Sequence, residues 1–195
     1  MKPLATATLI AASALFTACT TLTTEQTTTA DVKSGVPGGK VTQTTQLNAT
    51  VTAIDPATRK VTLVTNHNEK FSVIAGPEVV NFPQIRVGDQ LTVSYTEAIV
   101  VRMAKPGEKI VEDATADVSL AAEGAKPGLK ITTKGLVVAT VTKIDTKSRK
   151  ATLQYSDGST STVQVRKDID MSRHKVGDKV VIQTTESQAI KMVKP

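Results

Sequence analysis

Glu97 and Glu186 occupy the same place in two copies of one sequence, within Thr96-Glu97 and Thr185-Glu186, and are the only glutamates the copies share. Paired carboxylates can divide general acid and base work between them, provided the fold brings them together. The sequence does not place them so, because each sits at an expected turn into a last strand, where a glutamate also serves as a cap or an ion-pair partner. His67 and His174 are the only histidines. They align with Asp157 and roughly with Gln84, neither is repeated, and no nucleophile motif surrounds them, so both read as solvated loop residues. Met171, His174 and Met192 form a soft ligand set suited to Cu(I) or Ag(I). Against that reading, the chain has no Trp to shield an ion, and Met192 aligns with Met103, an inward position where Met is an ordinary gap-filler. These residues predict neither an enzyme nor a bound cofactor.

The net charge of +6 is unevenly placed. Gln46–Pro106 holds six Lys/Arg against five Asp/Glu, whereas Lys134–Pro195 holds twelve against six. Lys143, Lys147, Arg149, Lys150, Arg166, Lys167, Arg173, Lys175 and Lys179 concentrate on expected turns and solvent-facing strand positions. Such charges usually do no more than solvate a surface; the alternative reading is a docking patch for an anionic envelope polymer, a lipid headgroup or an acidic protein. Nucleic acid is not expected. The second copy offers only Tyr155 as a stacking platform, and the start of the chain points to the cell envelope.

That start has a positive Lys2, a mostly apolar Leu4–Phe16 and then Leu15-Phe16-Thr17-Ala18-Cys19. The apolar run is too short to cross a bilayer as a mature helix, so 1–18 reads as a signal peptide. Its ending resembles the bacterial lipoprotein signal, which makes Cys19 the acylated first mature residue and a membrane anchor. The plainer alternative is an ordinary signal peptide with an incidental cysteine. In the sorting pattern this resembles, Thr20 after the cysteine implies the outer membrane, facing the periplasm. Cys19 is the sole cysteine, so no disulfide can brace the fold.

The elements that must position these groups come as a duplication. Pro37–Pro106 reappears as Pro127–Pro195, with Ala49-Thr-Val-Thr-Ala-Ile-Asp55 matching Ala139-Thr-Val-Thr-Lys-Ile-Asp145, and Val87-Gly88-Asp89 matching Val176-Gly177-Asp178. Period-two alternation predicts five short strands per copy, around 47–51, 61–65, 71–75, 91–95 and 101–103 in the first. Asp55 and Asp145 begin hydrogen-bonded turns, Asp157-Gly158 is a hairpin signal, and Gly88 and Gly177 suit positive φ. The order predicts an all-β protein of two tandem five-stranded OB-like barrels, with an SH3-like barrel as the alternative. The barrels are assigned to 41–106 and 127–195. A Thr-rich stretch at 19–40 reads as a disordered tether. Between the copies, 107–126 reads as an amphipathic helix, because Ile110, Val111, Ala114, Val118, Ala121 and Ala122 fall at helical spacing.

Ala49–Asp55, Arg59-Lys-Val-Thr-Leu63, Glu78-Val-Val-Asn-Phe82, Gln84–Asp89 and Tyr95-Thr-Glu-Ala98 resemble a group of uncharacterised proteobacterial envelope proteins that carry this module once or in tandem. The resemblance covers both copies and the connector, excludes the Thr-rich stretch and brings no established activity. The second copy departs from the pattern at Asp168–His174, where Asn-Phe-x-Gln is absent.

Overall fold

Alternating Val, Ile and Thr become antiparallel strands across the residues that the computed structural model describes, 22–195, as β-branched side chains favour. The signal peptide at 1–18, Cys19 and Thr20 lie outside the described residues. The strands are β1 (Glu25–Asp31), β2 (Gly38–Asp55), β3 (Lys60–Thr65), β4 (Lys70–Ile74), β5 (Gln90–Met103), β6 (Asp113–Leu120), β7 (Gly128–Asp145), β8 (Lys150–Tyr155), β9 (Thr160–Gln164) and β10 (Lys179–Val193). Short 3-10 turns at Phe82–Gln84 and Met171–Arg173 precede β5 and β10.

All ten strands belong to one open sheet in the order β4-β3-β2-β5-β10-β7-β8-β9, with β1 added to β2 and β6 to β7. The order is a palindrome of the two repeats, joined at its centre by fourteen β5–β10 residue pairs. Among the described residues no ladder closes either repeat into a ring. The expected fourth and fifth strands of each copy are fused into β5 and β10, and the expected turn at Thr96-Glu97 is mid-strand. Tyr95-Thr-Glu-Ala98 explains the fusion: it offers no Gly, Asn, Asp or Pro, so it lacks the chemistry of a tight hairpin.

Two further expectations are corrected. The stretch 107–126 is not a helix, and the described residues include no α-helix. Ala114, Ala116, Val118 and Leu120 alternate at period two, and β6 pairs along β7, with Val118 opposite Ile131 and Leu120 opposite Leu129. The 19–40 stretch is not wholly a tether either. Glu25–Asp31 pairs with Lys40–Gln46, and Thr23 is held by its backbone N–H and hydroxyl on the Glu69 carboxylate. The repeating unit is therefore β1–β5 and β6–β10.

The hydrophobic clusters lie at opposite ends of the central ladder. The first joins Ala49, Val51, Val61, Leu63, Phe82, Ile85 and Leu91 to Met192, a residue of the second repeat. In the second, Val101 and Met103 of the first repeat pack against Ala139, Val141, Leu153 and Val180. The second cluster is the thinner one, because Ser161 stands across from Leu153 where Phe71 stands across from Leu63.

Turn chemistry follows the sequence closely. Asp55 accepts from the backbone N–H groups of Ala57 and Thr58, and Asp145 from those of Lys147 and Ser148. Gly88 and Gly177 hold φ of 93° and 96°. Arg59 and Arg149 each end such a turn at φ 53°, a conformation costly for a residue with a Cβ. Their side chains account for it. The Arg59 guanidinium donates to the carbonyls of Ala75, Gly76 and Val79 and stacks 4.6 Å from the Phe82 ring, while Arg149 donates to the carbonyls of Arg166 and Ile169.

Candidate functional site

The fold brings the shared glutamates together. Glu97 and Glu186 are directly opposed in the β5–β10 ladder, on the pseudo-two-fold axis that relates the repeats. Across the neighbouring ladders they face Gln43 and Thr133, and neither makes an ion pair among the described residues. The Tyr95 hydroxyl donates to Glu97 Oε1 at 2.6 Å. That bond, aided by desolvation and by the charges of both carboxylates, pushes the phenol up to about 12. The arrangement is two like charges held side by side with one phenolic donor. Beside it, Val93, Tyr95, Leu129, Ile131 and Ile190 line a small, mainly apolar hollow of about 200 Å³.

The soft ligand set is not assembled. Met171 is buried as the first residue of the second 3-10 turn, at the place of Phe82 in the first repeat. His174 closes that turn with Nδ1 3.5 Å from Asp178 Oδ2. Met192 lies in the first core, twelve residues along β10 from Val180, on the order of 40 Å away at strand rise. Among the described residues no three His, Cys, Asp or Glu side chains gather as a metal site. His67 is exposed on the β3–β4 turn.

The nine cations of the second repeat divide in two. Lys143, Lys147, Lys150, Lys167, Arg173, Lys175 and Lys179 are exposed, and the topology collects them at one end of the sheet, where β7 ends, β8 begins, β9 ends and β10 begins. The six lysines form no ion pair among the described residues, and Arg173 pairs with Asp170. Arg149 and Arg166 are not part of that free surface. Arg149 is the turn clamp described above, and its buried Nε has no partner among the described residues. Arg166 donates to the carbonyls of Lys33, Val36 and Gly38 and pairs with Asp168, so it ties the loop before β2 to the second repeat. Asp168 also accepts from the Gly35 N–H, and the two contacts hold its carboxyl well below the usual range, Arg166 contributing most.

A buried ion pair escaped the sequence reading. Asp89, 1% exposed, accepts from the backbone N–H of Arg86 and from Lys126 Nζ, which also donates to the Gln84 carbonyl at 2.7 Å. Its counterpart Asp178 is half-buried beside His174. The asymmetry is legible once the repeats are aligned, because Lys126-Pro127-Gly128 replaces Val36-Pro37-Gly38.

Compared with known proteins, the chain matches no protein-family model. No curated protein matches it either.

Proposed function

We propose that the protein is a lipid-anchored, non-enzymatic module of the bacterial envelope, held by Cys19 to the periplasmic face of the outer membrane, and that the second repeat docks an anionic component. The observation that carries this reading is the cluster of exposed lysines without carboxylate partners at one end of that repeat. Clustered cations of one sign draw anionic partners by long-range attraction, and salt screens that attraction. The contrast with Arg149 and Arg166, whose guanidinium groups are engaged inward, narrows the patch to Lys143, Lys147, Lys150, Lys167, Arg173, Lys175 and Lys179. Each repeat is read as an OB-like module opened at its last strand.

The anchor is close in this reading. Thr23 is fixed on Glu69, so four residues from Cys19 span at most about 14 Å. The first repeat then rests at the membrane surface, with the basic end of the second free to meet an anionic partner.

The test is charge reversal at Lys147, Lys167 and Lys175 in the full chain, with crosslinking in intact envelopes and sedimentation with vesicles containing or lacking anionic lipid. Loss of crosslinks without loss of vesicle binding identifies a polymer or acidic protein. Loss of both identifies headgroups. Unchanged crosslinks and unchanged binding overturn the proposal. Fatty-acid labelling that persists in Cys19→Ala would refute the anchor.

A further inference from the structure

The register of the central ladder carries more than the joining of two repeats. Leu91 pairs with Met192, the counterpart of Met103, while Val180, the counterpart of Leu91, pairs with Met103 itself. A hairpin folded at Glu97 would pair Leu91 with Met103. The ladder is therefore that hairpin opened in both repeats, each outer arm laid against the inner arm of its twin, with the opened turns meeting at Glu97 and Glu186. The cores confirm the exchange, since Met192 completes the first, and Val101 and Met103 pack on the second.

We infer that the partner this interface fits is a second copy of the chain, docked by the same exchange, with β5 of one chain paired to β10 of the other. Nothing in the interface records which chain supplies the arm. Lys126 and Ala122, which reach Asp89 and Asn81, lie in the β6–β7 segment and travel with the second repeat. Arg166 and Asp168, which hold the 33–38 loop, belong to that repeat as well. An incoming copy thus restores every one of these contacts, and the Glu97–Glu186 juxtaposition is the same in both forms.

Only the link from β5 to β6, residues 104–112, favours self-closure. Its ends are three strand spacings apart across the sheet, about 14 Å, and three residues apart along it, about 10 Å, a gap that a link of that length covers easily. Closed and exchanged forms share their contacts, so exchange competes only near the effective concentration of a short tether, of millimolar order. Crowding of copies on one surface, or refolding at high concentration, supplies that condition.

Deleting Lys105–Val111 leaves three residue steps from Met103 to Asp113, about 11 Å, too short for self-closure. In a Cys19→Ala background the deleted chain should be a dimer by light scattering at concentrations where the intact chain is a monomer. With Thr96→Cys and Ser187→Cys added at a cross-strand pair, it should run as a covalent dimer after oxidation, whereas the same cysteines in the intact chain should close within one chain. A folded monomeric deletion variant overturns the inference, and so does a dimer whose cysteines close within each chain. Should the deletion prevent folding, intact chains carrying two different labels decide the matter. Unfolded together and refolded at about millimolar concentration, they should yield mixed dimers; mixed-label dimers absent throughout that range overturn it.

Discussion

Single residues show where the fold is under tension. Glu97 and Glu186 oppose each other, and like charges across an antiparallel pair are destabilising. Glu186→Gln should raise stability by roughly 0.2 to 1 kcal/mol, read as a higher urea midpoint at low salt, with the gain shrinking in 1 M salt as screening sets in. Lys126 and Asp89 present the opposite case, a charge pair taken out of water. Lys126→Ala strands the buried carboxylate and should cost about 3 to 5 kcal/mol, whereas Asp178→Asn, at the half-exposed counterpart, should cost far less. Unequal midpoints would verify the asymmetry between the repeats. Glu108 sets a pH dependence. Arg102 bonds its carboxylate bidentately and, with the Lys105 N–H, holds its pKa at about 2, below the ordinary 4.5. The folded carboxyl binds its proton less readily than the unfolded one, so the contribution is fully present above pH 4.5 and is lost as pH falls from there toward 2. Urea midpoints should drop more steeply over that window in the native chain than in Glu108→Gln.

At the scale of elements, what was legible followed from turn residues and from alternation on one face. Asp55, Asp145, Gly88, Gly177 and Asp157-Gly158 hold the turns assigned to them, and of the positions that alternation turns inward Ala49, Val51, Val61, Leu63, Ala139, Val141 and Leu153 are buried, whereas Val137, Val163 and Ile190 are exposed. Pairing was not legible, because a strand's partner is a long-range choice that alternation leaves open. In Asp113–Leu120 residues three and four apart predict a helix, but Ala114, Ala116, Val118 and Leu120 also carry the shorter period, and the strand that it specifies forms. The Thr-rich composition of Glu25–Asp31 reads as a disordered tether, but threonine also favours strands, and here the strand forms. Of the candidate site residues, the exposed lysines could be read directly. The inward turn of Arg149 and Arg166 could not, because identical side chains serve surface and scaffold alike. Met192→Ala tests the shared core at this scale. It should cost about 2 to 5 kcal/mol and weaken amide protection first in β3 and β4, elements of the other repeat. Loss confined to β7–β9 would contradict the exchange of arms.

For the whole molecule, two repeats with exchanged core residues have no boundary at which one can melt alone. A single transition is expected in calorimetry, with calorimetric and van't Hoff enthalpies equal; two resolved transitions would show independent repeats. The antiparallel β5–β10 ladder also has a mechanical meaning. With the first core at one end of it and the second at the other, a pull that separates the repeats runs lengthwise along the strands. Such a pull slides the strands past each other and loads the hydrogen bonds together, where a pull across the ladder would open them one after another. A chain fixed near Thr23 and gripped at the basic end of the second repeat would therefore act as a strap that resists stretching, with its weakest direction turned away from the load.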